Sequence, residues 1–176
     1  MRILSIALVA AGMLVPAGAT TLQQLSMDDM IRKSTSIVRA KVIDSHTAFR
    51  GQDIYTYYRL QVLEGWNTGV QQVEVAVPGG FAKGMRQLAP GAPSLIAGDE
   101  YMVFLWTSRS GLTQIIGLSQ GLFSVKPSAS GEPLLIRPAA MELMLDKSGH
   151  VVNDLPLSLH LTDVRSQIQR TLGTGR

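Results

Sequence analysis

The residues able to do chemistry are few and scattered. Histidine occurs only at His46, His150 and His160, with no pair spaced i, i+2 or i, i+4 and no H-E-x-x-H or H-x-x-E-H string. A zinc site gathers such ligands around one ion, and here each would come from a distant segment. His46 falls in a polar stretch and His150 follows Gly149, as surface turn residues do, whereas His160 in LSLHLTD reads as half-buried. The chain has no cysteine. That removes disulfides, thiolate ligands and a cysteine nucleophile.

The nearest approach to a catalytic motif is Gly117-Leu118-Ser119-Gln120-Gly121, which has the G-x-S-x-G form of a nucleophile elbow. In that elbow a strand ends in a sharp turn and a helix follows, leaving the serine exposed above an α/β sheet. Here LFSVKP follows, a strand pattern, so a β-turn or bulge is expected. A small serine hydrolase would use Ser119 as nucleophile, His150 or His160 as base and Asp154 or Asp163 as acid. The adjacent carboxylates Asp99 and Glu100 point to opposite faces of a strand and mark its exposed start. Asp28 and Asp29 suit the first turn of a helix, where carboxylates meet the positive end of the dipole. No catalytic, metal or cofactor site is assigned, and the chain reads as non-enzymatic.

The string VPGGFAKGMR offers binding instead of catalysis. It lacks the G-K-[ST] of a phosphate loop. Its amides could still form an anion nest, with Lys83 and Arg86 adding charge. It opens residues 78–98, a Gly- and Pro-rich interruption of the strand pattern. Connections this long are commonly functional. Gly79, Gly80, Phe81, Lys83 and Arg86 are the candidate ligand-binding residues, with an extracytoplasmic protein or peptide as the expected ligand. Tyr55, Tyr57, Tyr58 and Phe81 could stack bases. The formal charge is only +3, however, with no Lys or Arg run, whereas nucleic-acid binders cluster their cations. Nucleic acid is not expected as a partner.

The elements that must position these residues are mostly strands. Alternation is read over 37–45, 54–64, 72–77, 99–106, 112–118, 121–126 and 133–137, with 46–53 as a polar connection. The second run is long for a strand, so coiling or a bulge is expected. The densest apolar run of the mature chain is 98–106, GDEYMVFLW. Tyr101, Val103 and Leu105 share one face and Met102, Phe104 and Trp106 the other. Both faces are apolar, so both must be covered. Helices are expected within 20–34 and over 163–172. Ser26 caps the first, Leu25 and Met30 form a hydrophobic staple, and Arg32 and Lys33 lie near its end. Thr162 caps the second, whose apolar stripe is Val164, Ile168 and Leu172. Residues 139–149 fit a helical turn or a hairpin around Lys147-Ser148-Gly149. Short strands at regular spacing between terminal helices predict a mainly β fold. The expected form is a small OB-like barrel, closed or partly open, with both helices on its outer wall.

The first 19 residues read as a secretory signal peptide. Arg2 is the basic end, 3–15 the apolar stretch, and Ala17-Gly18-Ala19 follows Pro16 as the cleavage site. The stretch is shorter than the roughly 20 apolar residues of a membrane span, and no later segment is apolar enough to cross. One domain over 20–172 and a frayed tail at 173–176 are expected, in a bacterial periplasmic or secreted protein. Export also admits a role as an envelope assembly factor.

Residues 36–125 resemble the netrin-like domain, the OB-type barrel of the tissue inhibitors of metalloproteinases. The similarity is carried by IVRAKVI at 37–43, the tyrosine-rich strand ending Leu63-Glu64-Gly65, VEVAVPGG, and IAGDEYMVFL at 96–105. It implies a barrel fold and secretion. In those inhibitors an N-terminal cysteine chelates the protease zinc, and this chain has none, so that activity does not carry over. The chain is also similar to secreted bacterial proteins with a leading T-L-x-x-L helix, here Thr21-Leu22-Gln23-Gln24-Leu25, before an S-x-I-V strand.

Overall fold

The computed structural model describes residues 21–129 and 131–173. The expected signal peptide 1–19 and the tail beyond Gly173 lie outside them. The fold is mainly β with two helices, as the alternation predicts. The strands are β1 (Thr21–Gln23), β2 (Ser36–Arg50), β3 (Asp53–Trp66), β4 (Gln72–Pro78), β5 (Gly80–Ala82), β6 (Met85–Gln87), β7 (Glu100–Thr107) and β8 (Thr113–Ile115). They continue with β9 (Leu122–Lys126), β10 (Leu134–Arg137), β11 (Leu143–Leu145), β12 (Val151–Val152) and β13 (Leu157–His160). The helices are α1 (Met27–Lys33) and α2 (Leu161–Gly173).

The main sheet runs β13-β10-β9-β7-β2-β3-β4, with β8 also on β7. It is open: β4 comes against β8 without pairing to it. Of the two expected barrel forms, the closed one is absent. The pairing of β2 with β3 shifts register between Arg39 and Ala40 and between Val42 and Asp44. Such shifts bend and coil long strands.

β7 separates two cores, which explains its two apolar faces. Tyr101, Val103 and Leu105 pack inward with Val38, Leu60 and Val75. Met102 and Phe104 pack outward with Ile31 of α1 and with Val164 and Ile168 of α2. Trp106 departs from the expectation, since it takes no part in the outer cluster and stays 46% exposed.

Several local expectations are corrected. Residues 46–53 are no connection, because β2 and β3 continue to a tight turn at Gly51 and Gln52. His46 stacks on Tyr57 there, with ring centroids 5.1 Å apart. The start of the expected first helix is β1, which pairs in parallel with β11. Helix α1 then begins after Ser26, whose hydroxyl accepts from Asp29 N in a full capping box. Helix α2 starts before Thr162. The Thr162 amide instead donates to Glu132 Oε1 at 3.2 Å, so an outside carboxylate satisfies the first turn. Residues 139–149 contribute to a hairpin, β11 with β12. Among the described residues no helix is long and apolar enough to cross a membrane.

Candidate functional site

Residues 78–98 divide into two parts with different surroundings. The first part is a small hairpin arm, β5 with β6. Lys83 and Gly84 form its turn with φ of 49° and 78°, the pair of positive values a tight type I′ hairpin needs. The arm is fixed at its base. Gly79 N donates to Ile54 O at 2.8 Å, and Ile54 N donates to Gln87 Oε1 at 2.6 Å. Thr47 Oγ1 donates to Phe81 O at 2.5 Å. Gly80 lies flat on the main sheet: at φ 140°, a Cβ there would sit 2.9 Å from Thr56 Oγ1.

This anchoring decides what the arm displays. Phe81 and Arg86 are directly opposite in the register, so their side chains share a face. Phe81 is 62% exposed, and Arg86 is exposed beside it. Lys83 Nζ lies 5.9 Å from the Phe49 ring centroid, within cation–π reach. Met85 and Leu88 add exposed apolar surface. Three of the five predicted residues, Phe81, Lys83 and Arg86, are thus brought together at one tip. Gly79 and Gly80 form its base, and the Gly79 amide is committed to Ile54, so it is not free for an anion nest.

The second part, 90–98, is wall and plug. Leu95 is buried in the core on the inward face of β7, and Ile96 N donates to Tyr101 Oη at 3.2 Å. Gly98 N donates to Val42 O at 2.9 Å. The outer side of this segment faces residues 136–142 across a groove of about 830 Å³. The groove includes Ser119, Ser124 and Lys126 in its lining. None of the five predicted residues lines it. Sequence reasoning missed it because its walls come from three separated stretches, none with a motif. The one available signal was the proline and small-residue content of 90–94.

The elbow motif folds as a turn between β8 and β9, with no helix after it, so the strand–turn–helix geometry of a nucleophile elbow is absent. Ser119 Oγ is buried without a hydrogen-bond partner among the described residues. The two proposed bases are engaged elsewhere. His150 Nδ1 lies 3.4 Å from Asp146. His160, about half exposed at its side chain, has Nδ1 3.5 Å from Glu132. Of the proposed acids, Asp154 is paired with Arg137. Gln120 gives the motif a structural role: its Oε1 accepts from Leu25 N at 2.8 Å and its Nε2 donates to Gln23 O at 3.0 Å.

The carboxylate pairs also separate. Asp99 lies 3.6 Å from Lys126 Nζ, and Glu100 lies 3.4 Å from Arg39 Nε. Asp29 serves the capping box, while Asp28 accepts from Gln167 and Thr171 of α2. The hydrogen bond from Gln167, then that from Thr171, holds the Asp28 carboxyl below its ordinary range. Among the described residues no three His, Asp or Glu side chains gather as metal ligands. Set against protein-family models, curated proteins and solved structures, the chain matches none of them.

Proposed function

We propose that this chain is a secreted or periplasmic, non-enzymatic module that binds a protein or peptide through residues 78–98. The supporting observation is the Phe81–Arg86 pair, held on the outward face of an arm whose base is fixed by Ile54 and Thr47. An aromatic ring beside an arginine is the composition of interface hot spots. A rigid two-stranded mount lowers the ordering cost of binding. The netrin-like resemblance remains the account of the barrel within this reading, without the zinc-chelating terminus.

The test replaces Phe81, Lys83 and Arg86 together with alanine. All three side chains face solvent, so the melting temperature should hardly change. Affinity capture from envelope extract should then lose the partner that the wild-type chain retains. A partner set unaltered by the triple substitution would overturn the reading.

A further inference from the structure

The groove between 90–96 and 136–142 is a second surface, independent of the arm. Its volume, about 830 Å³, exceeds what one side chain fills and lies in the size class of ligand sites. Its rim is apolar and open: Met141 is 98% and Ile96 63% exposed. Concentrated exposed apolar surface around a cleft marks an interaction site.

The lining holds two cations and two carboxylates, but they do not all pair with one another. Asp99, Lys126, Arg137 and Glu142 all contribute to it. Lys126 is paired with Asp99, and Arg137 with Asp154. Glu142 has no cation among the described residues, and its Oε2 is buried without a hydrogen-bond partner there. Ser119 Oγ, on the same groove, also lacks one. A buried acceptor left without a donor is costly, and a cation seated beside the Glu142 side chain would offset that cost through charge rather than by a hydrogen bond to the buried oxygen. The groove therefore carries one uncompensated negative charge inside an apolar rim.

We propose that this groove seats an extended peptide segment in which a lysine or arginine stands beside apolar residues, with Glu142 as counter-charge. This rests on the reading of the chain as a peptide binder and adds the ligand's chemistry. An acidic segment meets repulsion from Glu142. A free polyamine supplies the cation but leaves the Met141 and Ile96 surface uncovered.

The test titrates the full mature chain, by fluorescence anisotropy, with a labelled hexapeptide of leucine and lysine. A second peptide has glutamate in place of lysine, and spermidine serves as competitor. The lysine peptide should bind, with the glutamate peptide at least tenfold weaker. Glu142→Gln should weaken the lysine peptide at least tenfold. Met141→Ser, at a side chain that supports nothing in the fold, should weaken it severalfold. Equal binding of the two peptides overturns the inference, as does an affinity unchanged in both variants. Displacement by spermidine at the peptide's own concentration range also overturns it. If neither peptide binds, the inference falls, while the arm substitutions still decide the proposed function separately.

Discussion

Arg137 meets Asp154 in a buried ion pair, with the two side chains 7% and 4% exposed. Arg137 Nη2 donates to Asp154 Oδ1 at 2.9 Å. Nη1 lies 2.9 Å from Oδ2 as a charge contact without hydrogen-bond alignment. Oδ2 also accepts from Ala140 N at 2.7 Å. The pair thus ties β10 to the segment before β13 and holds one wall of the groove. Removing one partner strands a buried charge, which typically costs about 3–5 kcal/mol. Asp154→Ala should lower the urea-unfolding free energy by that order. The double change Arg137→Met with Asp154→Leu should cost much less, because no charge is then left buried.

Acid should weaken the fold through two carboxylates. Burial raises the Asp154 pKa, but the hydrogen bonds from Arg137 and Ala140 outweigh it, and the net direction is down from 3.8. Asp29 is lowered from 3.8 to about 2, first by the Ser26 hydroxyl and then by Lys147. A carboxyl depressed in the folded state binds its proton more readily when unfolded. Its contribution is therefore present above pH 3.8 and is lost as pH falls toward the folded value, about 2 for Asp29. Stability measured from pH 5 to pH 2, a range set by these values, should decline. Asp29→Asn should be less stable at neutral pH and should flatten that decline.

Gln120 should prove a tether. Its amide satisfies Leu25 N and Gln23 O together, and it is almost fully buried. Gln120→Ala leaves both backbone groups without that partner, at about 1–3 kcal/mol for a buried unsatisfied group. Hydrogen exchange should speed at the Leu25 amide while the β2–β3 ladder keeps its protection. Uniform acceleration across both would show that Gln120 supports the whole core and not the N-terminal segment.

These features differ in how far the sequence discloses them. Val73, Val75 and Val77 alternate because one sheet face must be buried, and that period is visible in one dimension, whereas 101–105 is apolar throughout because β7 is covered on both faces. Residues 46–53 escape the same reading because they extend the β2–β3 hairpin beyond the core. The short β5–β6 arm, not the core, covers them there, so polar Thr47 and Arg50 stay exposed and look like loop. The β5–β6 arm is hidden by its brevity and by a Lys83-Gly84 turn that lacks the usual Asn or Asp. Phe81, Lys83 and Arg86 were legible as a group because they lie within six positions of one another. Ser119, Lys126 and Glu142 were not, since only the folding of β9 and β10 brings them to one groove.

Gly91 should be the most sensitive glycine of the groove wall. It has φ 77°, and a Cβ there would fall 1.6 Å from Glu142 Oε1 and 2.5 Å from its Cδ. Gly91→Ala therefore imposes two penalties, a left-handed backbone and a collision with the carboxylate. Gly98 separates them, since at φ 87° it has nothing within 4 Å of its added Cβ. Gly98→Ala should cost only the backbone term, about 1–2 kcal/mol, and Gly91→Ala more. Adding Glu142→Ala to Gly91→Ala should recover the excess but not the backbone part. Residues in contact typically couple by about 0.5–3 kcal/mol in such a cycle. Strict additivity would mean that the Glu142 carboxylate swings clear of Gly91 in solution, and that its place against the groove wall is not fixed by packing.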